Sequence, residues 1–272
     1  MSFYISLSGL KGAQTDLSAI SNNVANVSST AFKKSRVNFG DIFAGQTETG
    51  QGVRVLGAQQ QFTQGTLETT DKTLDVAIAG EGFFTVRSAP PANEVSYTRN
   101  GAFSVDENRN VVDTTGARVQ VLPTDATGVP TSTAAADLTD LVIPQTYTDV
   151  NSNVIQLSNI AVSDTGLVSA TFADGTVQNL GVIGLAVFPS QEGLRQKGDA
   201  HWIATRSSGS PTLGAGNNGL FGAVRSGTLE RSNVDITEEL VGLISAQRNF
   251  QANAKAIETA SNMTQAIVNL RS

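Results

Sequence analysis

Both ends of this 272-residue chain carry apolar side chains at coiled-coil spacing, and the long stretch between them reads as strand. Near the start, Phe3, Leu10, Leu17 and Val24 recur every seven residues, with Ala13, Ile20 and Val27 interleaved. Near the finish, Ile236, Leu240, Leu243, Phe250, Ala254 and Ile257 step by threes and fours, and Ala260, Met263, Ile267 and Leu270 continue the stripe. Such a seam needs a partner helix, because each inward side chain is a knob that requires a hole. The termini can supply one another only if the intervening region loops out from between them. The expected fold class is therefore α+β and multidomain: a mainly-β middle domain of antiparallel hairpins, with N- and C-terminal helices paired as a coiled-coil-like inner domain. The self-assembly seam is assigned to Leu10, Leu17, Ile20, Val24, Leu240, Leu243, Phe250, Ile257 and Ile267.

The expected division is a discontinuous helical domain of residues 1–30 and 234–272, a connector over 31–51, and a β-rich outer domain over 52–233. The first helix is expected over residues 3–27, at a cost of about 1 kcal/mol for each of Gly9 and Gly12. Isolated helices are marginal in water, so this segment is expected to order on assembly. The connector holds Phe32, Val37, Phe39, Ile42 and Phe43 beside Lys33, Lys34 and Arg36. The basic cluster reads as a solvated face, or alternatively as a contact with an acidic neighbouring subunit. From Gly52 the apolar period becomes two, as strands require. Val53, Val55 and Phe62 mark one strand, and Asn100-Gly101 gives a strong hairpin signal. Residues 123–136 form a low-complexity loop, the expected place for a further domain to be inserted or deleted. A meander follows, with turns at Asp164-Thr165-Gly166 and Asp174-Gly175, then a glycine-rich loop over 207–219. Asp235, with Glu238 three residues on, caps the last helix in a near capping box.

Composition narrows the function. Charged residues are 15% of the chain against about 25% in ordinary soluble domains, so copies repel one another weakly. Net charge is −6 without a run of like charge, which argues against nucleic-acid binding through a basic face. The absence of cysteine excludes disulfides and thiolate chemistry. No run of 18 apolar residues exists, so no membrane insertion by a helix is expected. Residues 1–16 lack a basic n-region and an unbroken apolar core, unlike a cleavable secretory signal. The chain is thus expected either to stay in the cytoplasm or to leave by a route that does not read such a signal.

Catalytic signatures are missing. His201 is the single histidine and reads as a strand residue in His201-Trp202-Ile203. Gly80-Glu81-Gly82 reads as a turn. Asp106-x-Asn108-x-Asn110 opens like a calcium loop, but Val111 and Ala117 stand where glycine and a carboxylate are required, so a hairpin turn is expected. No catalytic residue, metal site or cofactor is expected.

Several segments resemble flagellar rod and hook proteins. They are Ser8-Gly9-Leu10 with Asn22-Asn23-Val24-Ala25-Asn26-Val27 and Ala31-Phe32-Lys33; Leu74 to Ile78 with Gly82-Phe83-Phe84; Tyr97 to Phe103; and Leu229 to Asp235 with Ala246-Gln247-Arg248-Asn249-Phe250-Gln251-Ala252-Asn253-Ala254. The motif residues are Asn22, Asn23, Ala25, Asn26, Asn233, Gln247, Arg248 and Asn253. Within the family the hook protein fits best. Asp41-Ile42-Phe43-Ala44 leads within a few residues to Gly52-Val53, where similar distal rod proteins carry an extra stretch, and the Asn269-Leu270-Arg271 ending is hook-like. The chain is nonetheless as short as a rod protein, which implies a form without a large outer domain.

The resemblance implies a non-enzymatic homo-polymer, a helical tube acting as a flexible joint that passes motor torque from rod to filament. It implies export through the flagellar type III apparatus without a cleaved signal, and an extracellular place in the flagellum. Implied partners are the distal rod, hook cap and hook–filament junction proteins. One alternative is a distal rod subunit, a stiff drive shaft. A remote one is an exported β-rich binding or hydrolytic protein.

Overall fold

The computed structural model describes residues 2–42, 50–148 and 153–271. Its contacts divide the chain into two units: Met1–Ser28, Lys33–Thr63 and Asn233–Ser272 in one, Ser29–Phe32 and Gln64–Ser232 in the other.

In the first unit, α1 (Ser2–Ala25) packs along α2 (Ile236–Arg271). At 1.5 Å per residue they are about 36 and 54 Å long. α1 gives way where Asn22, Asn23 and Asn26 cluster; the Asn26 amide donates back to the Asn22 carbonyl at 2.9 Å, a bond that competes with the helix ladder. α2 starts on Asp235, whose Oδ1 accepts from Thr237 N at 2.7 Å and Glu238 N at 3.1 Å. Glu238 and Glu239 in the first turn favour the positive end of the helix dipole.

A hairpin of β1 (Ser35–Asp41) and β2 (Val53–Gln60) completes this unit, antiparallel, with Ser35 opposite Gln60 and Asp41 opposite Val53. Residues 33–63 thus belong with the helices, not to a connector and an outer domain, because Phe39 and Val53 pack on α1 at Gly12. Phe62 follows β2 instead of forming part of it. The basic cluster is not a solvated face. Lys33 is fully buried and donates to the Thr63 carbonyl at 2.8 Å, and Lys34 pairs with Glu238 at 2.9 Å; Arg36 alone is exposed.

The second unit runs through β3 (Leu67–Thr69), β4 (Val76–Ala79), β5 (Phe83–Arg87) and β6 (Val95–Thr98). Then come β7 (Ser104–Val105), β8 (Val111–Val112), β9 (Arg118–Leu122), β10 (Thr139–Asp140) and β11 (Thr146–Thr148). The meander is β12 (Val154–Val162), β13 (Leu167–Phe172) and β14 (Val177–Ile183), followed by β15 (Leu185–Val187). The last strands are β16 (Arg195–Gly198), β17 (His201–Ile203), β18 (Thr212–Gly214), β19 (Ala223–Ser226) and β20 (Thr228–Glu230). Most of them form one antiparallel sheet along the path β11-β12-β13-β14-β9-β5-β6-β17-β16, while β19 pairs with β4 and β20 with β3. Its core gathers Ile78, Phe84, Val119, Leu141, Val168 and Leu185. In β13 the alternation places Val168, Ala170 and Phe172 inside, as period two demands.

Asn100-Gly101 is not a two-residue hairpin turn: β6 pairs with β5 and β17, and β7 with β8. Gly101 serves a close approach instead. Val76 N donates to its carbonyl at 3.0 Å, and a methyl group on Gly101 would overlap the Val76 carbonyl oxygen. The turn after β7 is as read from sequence, with Asp106 accepting Asn110 N at 2.7 Å. The glycine-rich loop over 207–219 contains β18, which pairs with β15. A long-range ion pair between Arg99 and Glu230 is sealed in this unit. Arg99 and Glu230, 2% and 0% exposed at their side chains, meet at 3.5 Å, and the guanidinium also lies 5.2 Å from the Phe83 ring centre.

Candidate assembly surface

The helical unit is held by small and polar residues where the helices touch. On α1, Gly12, Ala13 and Asn23 are buried; on α2, Glu239 and Ala246 are. Gly242 leaves room for the Ile20 side chain, and a methyl on Gly9 would press on the Asn253 amide. Gly12 admits the Phe39 ring and Val53 against α1. The two glycines of α1 therefore trade helix propensity for close packing.

Asn23 is the hub. Its Nδ2 donates to the Ser35 carbonyl at 2.9 Å and to Glu239 Oε2 at 3.1 Å, and its Oδ1 accepts Ser35 N at 2.9 Å. One side chain thereby joins α1, β1 and α2. Asn233 does the same below the start of α2: Oδ1 accepts Lys34 N at 2.8 Å, and Nδ2 donates to the Gln61 carbonyl at 2.8 Å and to Thr63 Oγ1 at 2.9 Å. Beside Asn23 lies a cleft of 440 Å³ bordered by Asp16, Ile20, Arg36, Glu239 and Asn249. Burial there pushes the Asp16 carboxyl up, with Arg36 pulling the other way.

The seam residues divide in two. Leu10, Leu17, Ile20, Val24, Leu243 and Ile257 are half-buried between the elements of this unit. Leu240 and Phe250 are more exposed, at 46% and 37%, as are Ile236, Val241 and Ile244 on α2 and Phe3, Tyr4 and Ile5 on α1. The Ile267 and Leu270 side chains, and Phe43, lie outside the described residues. Among the motif residues, Asn22, Ala25, Gln247 and Arg248 are exposed, whereas Asn253 is half-buried and bonds back to the Asn249 carbonyl at 2.8 Å. Sequence reasoning gave Glu239, Gly242 and Ala246 no role in the helix contact. The small residues at 242 and 246, one helical turn apart on α2, were the available signal.

Family models match three segments: "Flagella basal body rod protein" over residues 3–33, "Flagellar hook protein FlgE/F/G D1 domain" over 77–170, and "Flagellar basal body rod FlgEFG protein C-terminal" over 225–270. The flagellar hook protein FlgE of Escherichia coli is 30% identical, with all of both chains covered. The chain belongs to the flagellar hook and rod protein family. FlgE of Salmonella typhimurium is 31% identical over the whole of both chains. The flagellar basal-body rod protein FlgG of Bacillus subtilis is 33% identical over 99% of this chain and 98% of that one. The family is one of structural subunits, not an enzyme family, and its members are components of the flagellar hook and basal body. Among the described residues, no cluster of three or more potential metal ligands occurs, and no helix is long and apolar enough to cross a membrane.

Proposed function

We propose that this chain is the hook subunit, polymerising into a helical tube that bends while it transmits torque from rod to filament. The observation that carries the proposal is the exposure of large apolar side chains along α2: Leu240, Val241, Ile244 and Phe250 are 37–61% exposed on a single chain. Covering them against sister subunits contributes roughly 1 kcal/mol each, half the value for full burial. Exposed large apolar side chains at this density mark a surface that assembly covers. Eleven residues separate Asp41 from Val53, and by the resemblance to the family distal rod proteins carry an extra stretch there.

In this reading the helices line the bore as a cohesive wall, and weaker polar contacts elsewhere slide as the tube curves. Copies leave unfolded through the flagellar type III export apparatus on an uncleaved N-terminal segment, and lie outside the cell. The partners are further copies of this chain, the distal rod, the hook cap and the hook–filament junction proteins.

A distal rod subunit is the second reading, favoured by length. The FlgG alignment runs over 291 residues, whereas the FlgE alignment runs over 407 against the 272 here. Electron microscopy of polymer grown from purified chain separates the two. Curved tubes support the hook and straight tubes the rod; a chain that never polymerises refutes both.

A further inference from the structure

His201 is the chain's single histidine, and the next residue, Trp202, is its single tryptophan. His201 is 4% exposed at the start of β17, with its ring between two acceptors. Nδ1 lies 2.8 Å from the Asp199 carbonyl oxygen, which can only accept, so Nδ1 carries a proton. Nε2 lies 2.6 Å from Asp113 Oδ2. The other oxygen of Asp113 accepts from Thr115 N at 2.8 Å, Thr115 Oγ1 at 2.7 Å and Ala117 N at 3.0 Å, three bonds that stabilise the charged carboxylate and leave Oδ2 to face Nε2 as an acceptor. Nε2 must therefore donate as well. A neutral imidazole has one N–H and would turn a lone pair toward an acceptor oxygen on one side; only imidazolium satisfies both.

The bonded groups belong to two separate turns. Asp113 sits between β8 and β9. Asp199 and Ala200 form the turn between β16 and β17, with left-handed φ values of 51° and 57° that neither residue adopts readily. β16 is the end strand of the sheet path. We propose that His201 is held as a structural imidazolium latching the β16–β17 edge hairpin onto the β8–β9 turn, and that alkaline pH opens this latch.

The charged surroundings agree. Lys197 on β16 borders the same small cavity but is engaged by Glu94 at 2.6 Å, and the Asp199 carboxylate adds negative potential. From β6 come the uncharged Ser96 and Thr98, the latter donating to the Ala200 carbonyl at 2.8 Å. Burial alone would push the imidazole down, but the hydrogen bond and charge of Asp113 outweigh it and hold the imidazole above its ordinary value. Burial pushes the Asp113 carboxyl up, and the bonds from His201 and Thr115 with the imidazolium charge outweigh that, holding it below the carboxylate range. The folded state thus keeps the imidazole proton more tightly than the unfolded chain. The stabilisation is complete below the unfolded value of about 6.5 and is lost as pH rises through the raised folded value.

The test uses the full-length monomer. Nitrogen-15 spectra at pH 6.5–7 should show both nitrogens of the single imidazole protonated. Trp202 emission should show the unfolding constant rising about tenfold per pH unit between 6.5 and the folded titration point, then levelling. The His201→Gln variant should lack that slope. Above the titration point, amides of 195–203 should exchange faster, after correction for intrinsic rates, while β13 stays protected. One unprotonated nitrogen at pH 6.5, a wild-type slope matching His201→Gln, or unchanged exchange over 195–203 would overturn the proposal. Should His201→Gln fail to fold, Asp113→Asn replaces it. Its imidazole must then titrate lower than in the wild type, and an unmoved titration overturns the latch equally.

Discussion

Replacing Asn23 with alanine removes three hydrogen bonds at once, to the Ser35 carbonyl, Ser35 N and Glu239 Oε2. Each polar group stranded away from water costs about 1–3 kcal/mol, with the larger values for charged groups. Ser35 is half-buried and recovers some hydration, whereas Glu239 is 8% exposed and recovers little. The loss is therefore about 2–4 kcal/mol, concentrated where α1, β1 and α2 meet. Backbone amides of β1 and the first turns of α2 should exchange about 30- to 1,000-fold faster, at tenfold per 1.4 kcal/mol, and polymer yield should fall. Trp202 emission, reporting on the other unit, should not change. Asn23→Asp should be at least as damaging, because it sets a carboxylate against both Glu239 and the Ser35 carbonyl. Adding Glu239→Gln to Asn23→Asp should recover part of the loss, since the glutamine amide can donate to the new carboxylate. Wild-type exchange in Asn23→Ala, or no recovery in the double variant, would refute the hub.

Two further predictions concern the β-rich unit. Glu230→Ala strands the Arg99 guanidinium, which burial already pushes toward deprotonation; unfolding followed at Trp202 should show a loss of about 3–5 kcal/mol. Gly101→Ala should cost about 4 kcal/mol or more, because the new methyl meets the Val76 carbonyl. At Gly116, where nothing lies within 4 Å but φ is 81°, alanine should cost only about 1–2 kcal/mol in the same measurement.

The features legible in the sequence were those set by near neighbours. The helices, the Asp235 cap, the Asp106 turn and the β12–β14 meander follow from periodicity and turn chemistry, and all stand in the structure. What escaped was set by distant partners. Asn23 and Glu239 are 216 positions apart and Arg99 and Glu230 are 131 apart, separations that no window of sequence joins. Lys33 looked solvated because lysine usually is, and only the fold brings the Thr63 carbonyl to it. Asn100-Gly101 carries the composition of a hairpin turn, yet its glycine is required by the backbone across from it at Val76. β1 and β2 alternate like outer strands, but Phe39 and Val53 pack on α1 at Gly12. The seam stripe was visible, whereas its division into half-buried members such as Leu243 and Ile257 and an exposed one, Leu240, needed the second helix in place.

Substitution of Phe250 by aspartate tests the assembly account most directly. The side chain is 37% exposed on the single chain, so a carboxylate there should leave the fold of the chain intact while charging the surface that meets sister subunits. Sedimentation, far-UV circular dichroism and electron microscopy of purified Phe250→Asp should show monomers of wild-type helix content and no tubes. Tubes of wild-type length and yield would contradict the account.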